Sequence, residues 1–204
     1  MNAVSLGSIL SMMMFALVTS ITPGPNNMML LASGVNFGWR ATLPHLVGVT
    51  GGLTLLLVLS GLGLQSVFAS HPQVHLWMKW VGAAYLLYLA WKISQSAEPA
   101  APVTGGQAVA ARPISFTGAA LFQIVNPKVW VMIFGYFSTC VPAQADVGVV
   151  LAASLLFGAV NFPCVGAWAL LGERLRRFLQ DRRRRRIFSY CMAGLLVLSI
   201  GMSL

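Results

Sequence analysis

The chain has 204 residues, 57% of them hydrophobic and only 8% charged, where an average soluble domain carries roughly 25% charged residues. That balance excludes a water-soluble globular protein and makes the membrane the solvent. The formal net charge of +9 invites a nucleic-acid partner. Its densest run, RLRRFLQDRRRRR from Arg174 to Arg186, lies between two apolar stretches, where a topology anchor against anionic lipid headgroups accounts for it. No nucleic-acid partner is expected.

Crossing a hydrocarbon core of about 30 Å takes roughly 20 helical residues, and six apolar stretches reach that length. The first covers about residues 4–35. It lacks a basic leader, and its apolar run continues from Met28 to Val35, so it is predicted to be retained and not cleaved as a signal peptide. It is broken by ITPGPNN, Ile21 to Asn27. A proline inside a helix costs roughly 3 kcal/mol, so two prolines need compensation. Thr22 and Pro23 close one half-helix, Gly24 is predicted to take a turn conformation closed to other residues, and Pro25 opens a second half-helix. Asn26 and Asn27 then bring polar side chains to its first turn. A plain proline kink that binds nothing is the alternative.

The second stretch, about residues 42–68, carries GVTGG, and its Gly48, Gly51, Gly52, Gly61 and Gly63 are predicted to let a neighbouring helix approach closely. The third covers about residues 75–94. Lys79 and Lys92 near its ends read as snorkelling or topology residues, and His45, His71 and His75, near span ends, are given no role. QSAEPAAPVTGGQAVAARP, residues 95–113, is the linker between two triplets of spans.

The fourth stretch, about residues 115–139, contains QIVNPK. Asn126 is a good N-cap and Pro127 suits the first helical position, so a new half-helix is predicted to start there. Lys128 adds a full charge to its first turn, a functional feature by default inside a span, although snorkelling to an interface is the alternative. Gln123 lies one turn earlier. The fifth stretch, about residues 147–171, is interrupted by NFP at residues 161–163, and the sixth covers about residues 187–204. Thr50, Gln123 and the NFP segment suit helix packing as well as a site. Cys140, Cys164 and Cys191 show neither CxxC nor a neighbouring histidine, so no disulfide or metal site is expected.

The predicted fold is an all-α integral membrane protein. Its six spans form two inverted three-helix repeats, residues 1–94 and 114–204, joined by the cytoplasmic linker 95–113, with a broken first helix in each. Inversion follows because three is odd. Arginine and lysine mark the loops after spans one, three and five, at Arg40, between Lys92 and Arg112, and in the Arg174 to Arg186 run, so both termini are expected outside the cytoplasm.

A helix N-terminus carries unpaired N–H groups and about half a positive charge, which suits a carboxylate. Two such ends, Lys128, and carbonyls left free near Thr22 are together what a zwitterion uses. An enzyme would need a nucleophile and base, paired carboxylates or metal ligands. The acids are Glu98, Asp146, Glu173 and Asp181, all in loops or at span ends, so no enzyme and no cofactor are expected. A scaffold or interaction protein is the other alternative, and it leaves the two broken spans unexplained.

ITPGPNN, GVTGG, WVGAAYLLYLAWK and FQIVNPK together resemble the LysE/RhtB family of bacterial amino-acid exporters over essentially the whole chain. The resemblance implies a six-span inner-membrane exporter of amino acids or their derivatives. It places Thr22, Pro23, Gly24, Pro25 and Asn26 on the first family signature, and Asn126, Pro127 and Lys128 on the second. Many members look like GxxxGD in the second span, whereas Leu53 stands here after Gly52. The lack of that acid points away from basic substrates. The cysteine and O-acetylserine exporters of the family look similar in lacking it and in their counterparts of HLWMKWVGAAYLLYLAWK and RPISF. A small neutral amino acid of that kind is the expected substrate, with homoserine, threonine or leucine as runners-up, and a homodimer is possible.

Overall fold

The computed structural model describes residues 5–64, 72–95, 112–142, 145–179 and 181–201, and the elements among them are helices. The first, α1, covers Leu6–Ile21 and starts at Ser5, whose hydroxyl accepts a hydrogen bond from the Ser8 N–H, as an N-cap should. α2 follows at Pro25–Phe37, bent 57° from α1. One residue, Gly38, separates it from α3 at Trp39–Leu59, and φ of +82° at Gly38 makes so short a corner feasible for glycine. α3 ends in a π-helical turn, Ser60–Leu64, containing Gly63 at φ +123°.

α4 is Pro72–Gln95. α5, Phe116–Val125, is capped by the Ser115 hydroxyl, and α6, Pro127–Thr139, turns 68° away from it. α7, Val147–Arg176, is capped by Asp146, and α8 is Arg182–Gly201. Among the described residues, the α3 segment Trp39–Gly63 and α7 are each long and apolar enough to cross a membrane. The bent pairs α1/α2 and α5/α6 qualify when each pair is taken as one broken span. In α4 the apolar segment is Trp80–Trp91, and α8 opens on five arginines.

Several boundaries differ from the sequence expectation. The loop predicted to hold Arg40 contracts to Gly38, which places Arg40 in the first turn of α3. The arginine-rich loop also shrinks: Arg174 and Arg176 end α7, and α8 already begins at Arg182. Arginine is a good helix former, and at the end of α7 its charge complements the helix dipole. Pro163 does not interrupt its span, because α7 runs through it, as α3 runs through Pro44. Both prolines lie on exposed faces, and membrane helices tolerate proline where neighbouring groups take up the freed backbone. His71, residues 96–111 of the linker, and the side chains of His75, Lys79 and Lys92 lie outside the described residues.

Lipid is as apolar as leucine, so membrane helices associate through close packing and hydrogen bonds. Here the approach is made at glycines. A Cβ on Gly34 of α2 would meet the Ala169 carbonyl of α7, and one on Gly172 of α7 would meet the Leu31 carbonyl of α2. Gly48 and Gly52 bring α3 equally close to the Phe116 and Ala120 backbone of α5. Gly51 does not serve close packing as expected: among the described residues the nearest atom to a Cβ there is 3.8 Å away. α1 packs on α7, α5 on α3, α3 on α7, and α4 on α8. Beside these contacts Tyr136 of α6 meets Phe157 of α7 edge-on, with ring centroids 4.8 Å apart, and donates a hydrogen bond to the Ala153 carbonyl at 2.9 Å. His45, placed near a span end by the sequence, is completely buried in α3, and its two ring nitrogens have no hydrogen-bond partner among the described residues.

Candidate functional site

The two helix breaks meet. At the second, the Asn126 side chain accepts from the Lys128 N–H at 3.1 Å and Pro127 takes the first helical position, as its residue types predict. At the first, Pro25 opens α2, and no side chain caps that end. Gly24 departs from its prediction. It is extended, at φ −177° and ψ 175°, a conformation open to any residue. What lies against it is a side chain: a Cβ there would be 2.6 Å from Lys128 Cδ and 3.0 Å from Lys128 Nζ, so the lysine would have to shift.

Lys128 reaches across the gap to the end of α1. Its Nζ donates to the Thr22 carbonyl at 2.6 Å, to Thr22 Oγ1 at 3.0 Å and to the Pro23 carbonyl at 3.2 Å. The last carbonyls of a helix lack partners within it, and local sequence predicts them free for a ligand. Side chains occupy them instead. Asn27 Nδ2 donates to the Ser20 carbonyl at 2.9 Å and the Thr22 carbonyl at 2.7 Å, and Trp168 Nε1 donates to the Ile21 carbonyl at 3.2 Å.

Behind this end a buried polar chain links three helices. Asn161 of α7 donates through Nδ2 to Ser20 Oγ at 2.9 Å and accepts from Thr50 Oγ1 of α3 at 3.1 Å. Asn26 and Gln123 pair through their amides. Each donor and acceptor named here has a partner, which a low-dielectric interior requires of polar groups.

Between these elements lies a cavity of about 20 Å³, room for one or two waters. Of the ten residues predicted for the site, Gly24, Asn26, Asn27, Asn126 and Lys128 line it. Thr22 and Pro23 take part through the oxygens that hold Lys128, and Gln123 through its bond to Asn26. Pro25 and Pro127 start the helices and do not line the cavity. Thr19, Ser20, Val129, Met132 and Val165 also line it without being expected from the sequence, and so does Asn161, which suits packing as well as a site. Leu53, at the position of the missing acid, also lines the cavity. The nearness of Asn161 to a proline and the place of Leu53 beside Gly52 were the available signals; the others have none.

The family model described as LysE type translocator matches residues 17–204. The chain belongs to the LysE family. Relatives of this LysE protein include the cysteine/O-acetylserine efflux protein of Escherichia coli (strain K12), 34% identical over 173 residues, covering 84% of this chain and 85% of the relative. A protein of the same name from Escherichia coli O139:H28 (strain E24377A / ETEC) is 33% identical over the same shares, and one from Shigella sonnei (strain Ss046) is 34% identical. No solved structure matches. As a LysE translocator with long apolar helices, the chain is a multi-pass membrane transport protein and not an enzyme.

Proposed function

We propose that this LysE protein exports small neutral amino acids or their derivatives, with cysteine or O-acetylserine preferred, across the bacterial inner membrane by alternating access. The observation that carries the reading is the convergence of two helix N-termini, at Pro25 and Asn126–Pro127, with Lys128 and the last oxygens of α1 at one cavity. Irregular backbone at membrane depth is tolerated where it lines a cavity, and discontinuous helices with N-termini aimed at anionic groups are a transporter device. The N-termini and Lys128 hold the substrate carboxylate, and the oxygens of Thr22 and Pro23 hold its ammonium.

Substrate class follows from the wall and from the relatives. Leu53, Val129, Met132 and Val165 line the cavity beside polar residues, and among the described residues no acid does, so a lysine or arginine side chain would find no counter-charge there. The similar proteins named above are cysteine/O-acetylserine efflux proteins. Six spans in two inverted triplets are supported by the two bent pairs. They are supported further by the crossed packing of α1 on α7 and α5 on α3, which exchanges under a swap of the halves. Arg176 of α7 lies within reach of Gly38, beside Arg40, so the basic ends share one side of the protein. That side is the cytoplasm by the positive-inside rule, with Arg174 to Arg186 against anionic headgroups and both termini outside. A homodimer is compatible with this arrangement.

Efflux from cells preloaded with labelled cysteine, O-acetylserine, homoserine, threonine, leucine or lysine tests the reading, with wild type and Lys128→Ala compared at matched membrane abundance. Wild type speeds the loss of a neutral amino acid and the variant does not. Faster loss of lysine alone, or equal efflux by the two proteins, would overturn the assignment.

A further inference from the structure

The oxygens suited to a substrate ammonium already hold an ammonium, and it belongs to the protein. A primary ammonium has three N–H donors, and Lys128 Nζ meets three oxygens, the Thr22 carbonyl at 2.6 Å, Thr22 Oγ1 at 3.0 Å and the Pro23 carbonyl at 3.2 Å. The same placement carries this side chain over Gly24. Gly24 has a backbone conformation open to any residue, yet the three nearest atoms to a Cβ placed there all belong to Lys128. The space left beside the lysine, about 20 Å³, has room for one or two waters.

We propose that Lys128 is a tethered stand-in for the ammonium of the substrate: it occupies the Thr22–Pro23 oxygens in the empty carrier, and the ammonium of an incoming zwitterion displaces it toward that zwitterion's own carboxylate. This rests on the reading of the cargo as an amino acid. The exchange keeps the costly groups paired in both states. In the empty carrier the lysine satisfies the carbonyls; in the loaded carrier the substrate ammonium satisfies them and the substrate carboxylate satisfies the lysine. An ionised side chain within a span is expensive without a partner, so a ligand that strands Lys128 is refused. An amine without a carboxylate strands Lys128, and a carboxylate without an ammonium finds the lysine engaged. Lys128 is on this account the residue that makes the site select both ends of an amino acid at once.

The test uses the purified full-length protein in lipid nanodiscs and calorimetric binding of L-cysteine, L-threonine, L-leucine, propylammonium and acetate. Wild type binds cysteine and neither fragment. Lys128→Met removes the competitor for the carbonyls, so propylammonium binding tightens at least tenfold over wild type while cysteine binding weakens at least tenfold. A variant that loses cysteine without gaining propylammonium would overturn the stand-in and leave the exporter reading intact. Wild type that binds none of cysteine, threonine and leucine would overturn the exporter reading, whatever propylammonium does. Should the methionine variant not fold, a second measurement decides. The chain has three lysines, so Lys79→Arg/Lys92→Arg leaves Lys128 as the single one, and its 15N-labelled Nζ resonance must shift when cysteine binds. A resonance unmoved at saturating cysteine rejects the displacement.

Discussion

Asn26 and Gln123 clasp each other across the two halves of the chain. Asn26 Nδ2 donates to Gln123 Oε1 at 2.7 Å, and Gln123 Nε2 donates back to Asn26 Oδ1 at 3.3 Å. Gln123 is completely buried, and its amide also donates to the Ala119 carbonyl at 2.7 Å. The pair joins the first turn of α2 to the last turn of α5, so each helix break is anchored by a residue of the other. Remodelling one break alone would break this pair, so the two breaks are coupled through it.

The clasp predicts non-additive mutations. Removing one partner strands the other amide at a cost of about 1–3 kcal/mol, whereas hydrogen bonds between membrane helices are worth about 0.6 kcal/mol on average and about 1.7 at most. Asn26→Ala and Gln123→Ala should each destabilise by about 1–2 kcal/mol, and the double variant by about 0.5–1.5 kcal/mol less than their sum. Reversible unfolding in mixed micelles measures this. Strict additivity would show that the two amides do not depend on each other.

Adjacent glycines of α3 should respond oppositely to the same change. A Cβ on Gly52 would lie 2.8 Å from the Ala120 backbone and 2.9 Å from Gln123 Cγ, while one on Gly51 meets only the Phe116 ring at 3.8 Å. Gly52→Ala therefore forces α3 and α5 apart, at about 1–3 kcal/mol. Gly51→Ala gains helix propensity of up to about 1 kcal/mol. Melting temperatures in detergent should fall for the first and hold or rise for the second; equal effects would contradict the packing.

Much of this was legible in the residues. Pro25, Asn126 and Pro127 fix where half-helices begin because ring geometry and capping act within a few residues, and those starts stand as read. Gly24 shows the limit: its place in a turn-rich run suggested a special backbone, but what lies against it is the Lys128 side chain, 104 positions away. The carbonyls near Thr22 likewise look free to local reasoning and are filled by Asn27, Trp168 and Lys128. Loop lengths failed where arginines and a single glycine let helices run on, at Gly38 and at Arg182. Apolar wall residues such as Val129 and Met132 carry no signal at all, since in a chain this apolar nothing local separates a cavity wall from a lipid face.

Leu53 tests the chemistry of that wall. It is buried at the cavity with Lys128 and Asn161, where an acid would offer the lysine a permanent partner and a charge for a neutral side chain to meet. Leu53→Asp should lower cysteine or O-acetylserine efflux at least tenfold, and Leu53→Met, which keeps size and polarity, should leave it within about twofold. Labelled efflux at matched abundance reads both. Unchanged export by the aspartate variant would remove Leu53 from the substrate's path.

Orientation provides the last prediction. Arg40, Arg176 and the arginines that open α8 belong to helix ends, and a Cβ on Gly38 would come within 3.3 Å of an Arg176 guanidinium nitrogen, so the α2–α3 corner and the end of α7 lie side by side. Lysine and arginine concentrate on cytoplasmic ends. On the six-span reading proposed above, both termini face outward and the 95–113 linker faces inward. Alkaline phosphatase folds only where its disulfides can form, on the periplasmic side. A fusion at the C-terminus should therefore be active and one within the linker inactive, with a fluorescent-protein fusion giving the reverse pattern. Phosphatase activity at the linker and none at the C-terminus would invert the protein. Activity at only one of two fusions, at residues 1 and 204, would rule out an even number of spans.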